Sequence, residues 1–248
     1  MKIALCQLNF IVGDLSYNVS KIKEAYLKAV SDGADIAVFS EMSVCGYPPQ
    51  DMLDYPHFIE RCKQEVLQLA EITEDTALIL GCPVFSGLAY GKKLYNAALV
   101  LHQGVIKEEI AKTLLPTYNV FDEYRYFEPN TEFKLWEFNG VKIAITICED
   151  LWDIDEDHIY KNSPMKALKK LGPDLMINLS GSPFSYKHIE TRRELMRQNA
   201  LQYNLPLVYV NQVGSNTDLI FDGGSMFISR EGVIADELDY FSEDYRVV

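Results

Sequence analysis

The stretch VKIAITICEDLWD at 141–153, followed through DLMINLS at 174–180 and LPLVYVNQ at 205–212, decides the fold class. Three short runs, nearly all apolar and rich in Ile, Leu and Val, are separated by segments near 162–171 and 188–203 with the length and polarity of helices. Strands without polar alternation are buried on both faces, so they predict sheets covered by helices, an α/β protein. The first half repeats the pattern. KIALCQL at 2–8 reads as a strand, and Ser16 is placed to cap a helix to about Ser31 whose apolar face holds Ile22, Ala25, Tyr26, Ala29 and Val30. ADIAVFS at 34–40 and TALILGC at 76–82 are further buried strands, with a helix near 56–72 between them. LYNAALVL at 94–101 and VIKEEIA at 105–111 flank His102-Gln103-Gly104, which suits a hairpin, and a last hairpin-like pair around 217–235 carries Gly223-Gly224. No repeat, low-complexity tract or linker interrupts the pattern, so residues 1–248 read as one domain.

Composition narrows the function. With 248 residues and 48% hydrophobic content the chain can bury a real core, which excludes disorder as its main state. Lys and Arg number 23 against 36 Asp and Glu, a net charge of -13 that would repel a phosphate backbone, so no nucleic-acid partner is expected. The opening MKIALCQLNF lacks the apolar stretch and cleavage site of a signal peptide, and no run approaches a membrane span, so a cytoplasmic protein without membrane association is expected. Cys6, Cys45, Cys62, Cys82 and Cys148 are scattered without a C-x-x-C pair, which favours reduced thiols. His57, His102, His158 and His188 show no metal-binding spacing, and no metal is expected. The phosphate-cradling patterns G-x-G-x-x-G, G-x-x-x-x-G-K-[ST] and S-G-G-x-D-S are missing, as is the G-x-S-x-G nucleophile elbow.

In such folds chemistry gathers at the carboxyl ends of strands. Glu41 follows AVFS, Cys148 closes AITI, Ser180 and Ser182 follow MINL, Asn211-Gln212 follow VYV, and Lys112 ends VIKEEIA. Each alone has an ordinary reading: a buried thiol, a solvated loop carboxylate, a surface cation. Together they place a thiol, an acid and an amine at the same kind of position. Glu149 and Asp150, directly after Cys148, would raise a thiol pKa above its usual ~8.5, so a nucleophilic Cys148 needs a base and a cation. Glu41 and Lys112 are available for both.

Four segments carry a resemblance: SEMSVCGYPPQD at 40–51, KTLLPTYNVFDEYRYF at 112–127, ICEDLW at 147–152 and NQVGSNTDLIFDGGS at 211–225. In these the chain resembles the nitrilase superfamily of carbon-nitrogen hydrolases, and within it the glutamine-hydrolysing domains of glutamine-dependent NAD synthetases. The resemblance spans nearly the whole chain. It implies a four-layer α-β-β-α sandwich and a catalytic triad of Glu41 as general base, Lys112 as oxyanion stabiliser and Cys148 as nucleophile, with glutamine as substrate. Glu123 matches an extra carboxylate beside the triad that positions the lysine. Glu149 would take the α-ammonium of glutamine, Tyr47 and Tyr118 would border the pocket, Trp152 would sit where the subgroup carries an aromatic, and Ser182 would touch the amino-acid end. Relatives place a cation six residues after this serine; here Lys187 stands five after and His188 six after, and Lys187 is the expected carboxylate contact after a one-residue shortening. The resemblance further implies a homo-oligomer and an adjoining C-terminal synthetase domain that uses ATP and Mg, with no cofactor needed by this domain. An oxyanion stabiliser acts in the transition state and not in packing, so Lys112→Met is expected to spare the fold and remove activity. The competing readings are a free-standing amidohydrolase or carbamoylase with the same triad, and a non-catalytic scaffold.

Overall fold

The computed structural model describes residues 1–154 and 163–248; His158 and the expected helix start at 162 lie outside the described residues. Fourteen strands are present among them: β1 Ile3–Gln7, β2 Ile36–Val38, β3 Ala77–Phe85, β4 Leu94–His102, β5 Val105–Ala111, β6 Trp136–Phe138, β7 Val141–Ile147, β8 Leu175–Leu179, β9 Leu207–Val210, β10 Val213–Asn216, β11 Leu219–Asp222, β12 Met226–Ile228, β13 Ile234–Glu237 and β14 Asp244–Val247. The helices are α1 Leu15–Ser31, α2 Pro56–Glu71, α3 Pro164–Lys169 and α4 His188–Tyr203. One six-stranded sheet runs β14-β1-β2-β3-β4-β5 and the other β13-β12-β9-β8-β7-β6, with β10 and β11 forming a separate ribbon.

Alternation along the strands builds the layers. Ile3 and Leu5 of β1, Ile36 and Val38 of β2, and Ile143, Ile145 and Ile147 of β7 meet in one apolar cluster between the sheets. The residues between them face outward: Ala4 and Cys6 pack with α1 and α2 residues such as Ile22, Tyr26, Ile59 and Val66, and Ala144 and Met176 pack with Met165, Leu195 and Met196 of α3 and α4. Helix, sheet, sheet and helix are therefore stacked in four layers, as the resemblance implied. Both-face burial is what the unbroken apolar runs required.

Several local expectations need correction. Asp14, not Ser16, caps α1, its carboxylate accepting the Tyr17 N–H at 3.0 Å. Val30 is 45% exposed and off the apolar face, because the buried stripe runs through Asn18, Ile22, Ala25, Tyr26 and Ala29. The Gly223-Gly224 step lies between β11 and β12 and is no hairpin turn; the hairpins are β10/β11 and β12/β13. Beside them, β14 adds an antiparallel edge to β1 that the sequence reading did not foresee. The β4/β5 hairpin forms as expected, with Gln103 and Gly104 both at positive φ, the pattern of a tight two-residue turn. Among the described residues no helix is long and apolar enough to cross a membrane.

Candidate active site

Strand direction decides what shares an edge. β1, β2 and β3 run parallel, β4 runs against β3, and β5 runs against β4. The carboxyl end of β5 therefore returns to the edge where β2 and β3 end, and the amino end of β4 lies there too. Glu41 follows β2, Lys112 follows β5, and both are fully buried. The Lys112 ammonium donates to Glu41 Oε1 at 2.8 Å and to Glu123 Oε1 and Oε2 at 2.8 and 2.9 Å. Neither residue is the solvated charge it would be on an ordinary loop.

Three further donors hold the carboxylates. The Gly181 N–H reaches Glu41 Oε2 at 2.9 Å, and Tyr47 OH reaches Glu123 Oε1 at 2.9 Å. Asn96 Nδ2 donates to Glu41 Oε1 at 2.6 Å and, more weakly, to Glu123 Oε2 at 3.3 Å. Burial works against the charge on Lys112, but Glu123 and Glu41 more than offset it and hold the ammonium well above its ordinary pKa. Burial pushes Glu123 up to about 7, with Lys112 pulling it down and Glu41 pushing it further up. Glycines make the fit possible. A Cβ on Gly81 would stand 2.2 Å from the Met42 nitrogen, and one on Gly181 would stand 3.2 Å from Glu41 Oε2.

Cys148 comes from the opposite sheet. β7 ends at Ile147, and Cys148 opens a short 3-10 turn, Cys148–Leu151, at φ 43. A residue with a Cβ pays about 1–3 kcal/mol for such a conformation and keeps it only where the surroundings over-determine it. Asp150 supplies that restraint. Its Oδ2 accepts the Ile147 N–H at 3.0 Å, and its Oδ1 accepts the N–H groups of Thr113 and Leu114 at 3.0 and 2.8 Å. One buried carboxylate thus straps the nucleophile turn of the second sheet to the segment following Lys112 of the first. Burial is the main cause that raises the Cys148 thiol well above its ordinary pKa; Glu41 adds to it, Lys112 opposes it, and Glu149 and Glu123 contribute further. A thiol in that state reacts only by giving its proton to a neighbour, and Glu41 is the carboxylate that acts on it most strongly.

The residues expected at the substrate end are brought together in part. Tyr118 OH donates to both oxygens of Glu149, at 2.8 and 2.9 Å, and the Glu149 side chain is buried beside the nucleophile. Ser182, also buried, lies 3.3 Å from His188 Nε2 through its Oγ, and the His188 ring stacks on Trp152 at 5.1 Å. Lys187 does not join them. It sits at φ 66 just before α4, is exposed, and directs its ammonium over the Tyr186 ring at 5.8 Å. The side chain that meets Ser182 and Trp152 is His188, one residue on. Burial and the Arg192 charge lower the His188 pKa, with Asp222 opposing, which favours the neutral ring. Arg192 forms a fully buried bidentate pair with Asp222, at 2.9 and 2.7 Å, which pins the first turns of α4 to β11.

Asn96, Asp150 and Arg192 went unread as site residues. Asp150 was visible only as a charge beside the thiol, and Asn96 lies near the start of a strand, where the carboxyl-end rule does not look.

A family model of carbon-nitrogen hydrolases matches residues 2–248. A glutamine-dependent NAD(+) synthetase from Synechocystis sp. is 42% identical over 249 residues, covering 98% of this chain and 45% of that protein. One from Aquifex aeolicus is 34% identical over 250 residues, covering 100% and 42%. Among solved structures, the glutamine-dependent NAD+ synthetase from Acinetobacter baumannii, in complex with ADP, superposes with TM-score 0.89 at 34% identity over 99% of this chain and 44% of that one. An amidase of the nitrilase superfamily from Nesterenkonia AN1 gives TM-score 0.84 at 20% identity, covering 89% of that chain, and shares the fold. The chain spans less than half the length of these synthetases, along the whole of its own sequence. With its two sheets flanked by helices and the buried cluster of Glu41, Lys112 and Cys148 at their edge, the chain belongs to the carbon-nitrogen hydrolase family.

Proposed function

We propose that this chain is the glutamine-hydrolysing part of a glutamine-dependent NAD synthetase. One observation carries the chemistry: a buried ammonium lodged between two carboxylates, 2.8 Å from each, in the electrostatic reach of a buried thiol. The Cys148 Sγ–H gives its proton to Glu41 as sulfur attacks the side-chain amide carbon of glutamine. Lys112 and the backbone N–H of Glu149 stabilise the oxyanion, a kind of interaction worth about 10²–10³ in rate per donor. Collapse breaks the C–N bond, the proton on Glu41 passes to the leaving nitrogen, and ammonia departs, leaving a glutamyl thioester. Water then gives a proton to Glu41 and adds to the thioester carbonyl. The second intermediate expels the thiolate, which recovers the proton, and glutamate is released.

In this reading Glu149, held by Tyr118, receives the α-ammonium, and Ser182 with His188 faces the α-carboxylate. Tyr47 borders the site and orients Glu123. No metal or cofactor takes part in these steps. The ammonia serves an adjoining synthetase domain, which amidates deamido-NAD with ATP and Mg. The domain proposal is thus one hydrolase unit over 1–248, paired with a partner unit of separate chemistry in an oligomeric cytoplasmic enzyme.

The purified chain should release glutamate and ammonia from glutamine in equal amounts, and a glutamine-like diazo-ketone should modify Cys148 alone among the five free thiols. Turnover of N-carbamoyl amino acids or short ω-amides with glutamine inert would replace this reading with that of a free-standing amidohydrolase. Labelling at Cys45 or Cys82 with Cys148 untouched would remove Cys148 as the nucleophile.

A further inference from the structure

Asn96 has no part in the steps above, yet it touches both carboxylates. It is the third residue of β4, its side chain is buried, and its backbone carbonyl accepts the Lys112 backbone N–H at 2.8 Å. Because β4 runs against β3 and β5, its first residues reach the edge that holds Glu41 and Lys112. The Asn96 amide has two N–H bonds to give; Nδ2 lies 2.6 Å from Glu41 Oε1 and 3.3 Å from Glu123 Oε2. Its Oδ1 is buried without a hydrogen-bond partner among the described residues. Turning the amide over would satisfy nothing and would set that oxygen against two carboxylates, so the charges on Glu41 and Glu123 dictate its orientation.

The oxygens of Glu41 are thereby made unequal. Oε1 already accepts from Lys112 at 2.8 Å and from Asn96, which uses both its lone pairs. Among the described residues Oε2 accepts only the Gly181 N–H, which leaves one lone pair for the thiol proton. The charge balance points the same way. Two carboxylates share one ammonium, and a buried pair with one cation normally takes up a proton. A neutral donor to both favours the ionised state without adding charge. The groups that titrate or carry charge around this pair are Lys112 just after β5, Tyr47 in the loop after β2, and Cys148 just after β7, on which Glu149 acts in turn.

We propose that Asn96 is a positioning residue: it occupies Oε1 of Glu41, fixes Oε2 as the oxygen that takes the thiol proton, and donates to both carboxylates around Lys112. The identity of the amide substrate rests on the glutaminase reading; the proposal itself concerns the thiol and its base, so it is tested on the thiol. The rate of Cys148 alkylation by iodoacetamide, followed by mass spectrometry across pH, reports proton transfer to the carboxylate pair whatever the substrate is.

Asn96→Leu removes the donors, and losing a hydrogen bond to a charged group raises the pH at which that group ionises, here by about one unit. The acid limb of alkylation should move up by that amount, with about tenfold slower labelling below the wild-type midpoint and convergence above it. Asn96→Asp, nearly isosteric and adding a third carboxylate, should move the limb in the same direction. Glutamine hydrolysis should lose kcat about tenfold near neutrality with KM within about twofold, since Asn96 acts through Glu41 and not on the substrate. A purely structural role would lower the melting temperature and leave the midpoint in place. A midpoint within about 0.3 unit of wild type in a folded Asn96→Leu protein overturns the proposal, and if that variant does not fold, the same result in Asn96→Asp does. A shifted limb in a chain that leaves glutamine intact would sink the proposed function and uphold the role of Asn96.

Discussion

Replacing Lys112 by Met tests the charge arrangement more severely than the sequence suggested, because this lysine is also part of the fold. Its side chain is fully buried and its ammonium satisfies Glu41 and Glu123 at 2.8 Å each. Removing one partner of a buried ion pair leaves an uncompensated charge and costs roughly 3–5 kcal/mol. For a chain of this size that lowers the melting temperature by about 6–20 °C. The expectation that Lys112→Met spares the fold is accordingly revised: the variant folds with a large deficit. The deficit has a pH signature. Burial holds Glu123 up to about 7 with Lys112 pulling it down, so without the lysine its folded pKa rises further above the unfolded ~4.3. A carboxyl with a raised folded pKa loses stability as pH rises through the window between its unfolded and folded values. Both proteins lose stability up to about pH 7; above it the variant goes on losing while the wild type levels off. Thermal melts at pH 6 and 8.5 should show the gap between the two proteins widening by on the order of 1–2 kcal/mol, at up to 1.36 kcal/mol per pH unit for one proton. Turnover should vanish at both pH values. A variant that melts within 2 °C of wild type, by about the same margin at both pH values, would refute the view that Lys112 neutralises two buried carboxylates.

Two other substitutions probe the parts that position the site. Asp150→Asn keeps the size but cannot accept on both oxygens, so at least one of the three backbone bonds to Ile147, Thr113 and Leu114 is lost; kcat should fall about tenfold or more while KM stays nearly constant, and an unchanged kcat would show that the strap is dispensable. His188→Ala should raise KM for glutamine several-fold with little change in kcat, whereas Lys187→Ala should change neither, because only His188 reaches Ser182 and Trp152. The opposite ranking in steady-state kinetics would restore Lys187 as the carboxylate contact.

Much of this was readable from residues alone, for reasons that also mark where reading stops. The apolar runs at 34–40, 76–82, 141–148 and 174–180 read as strands buried on both faces, which calls for sheets covered by helices, while the four-layer stacking came from the resemblance. The ends of parallel strands gather at one edge, so Glu41, Lys112 and Cys148 could be named as neighbours before their distances were known. The missed elements were those set by tertiary pairing: β14, which exists because β1 offers an open edge, and β6, three residues long beside β7. That His188 and not Lys187 lies beside Ser182 goes with a left-handed backbone at Lys187, a conformation that a lysine does not advertise.

The carboxyl-end rule singled out Glu41, Lys112 and Cys148 and missed Asn96, and the reason is topological. A rule drawn from parallel sheets inspects where strands finish, but β4 is antiparallel to both its neighbours and presents its beginning to the same edge. The residue it contributes there is neutral, in a place where any further charge would unbalance two carboxylates and one ammonium. A third acid would drive the group to take up a proton and disarm the base; a second cation would hold Glu41 so strongly that it could not accept one. An amide donating through both N–H bonds satisfies either demand, and its price is the unpartnered Oδ1. The sequence signal for such a residue is therefore not charge but position: a polar side chain inside an apolar antiparallel strand, one hairpin before the lysine, as in LYNAALVL.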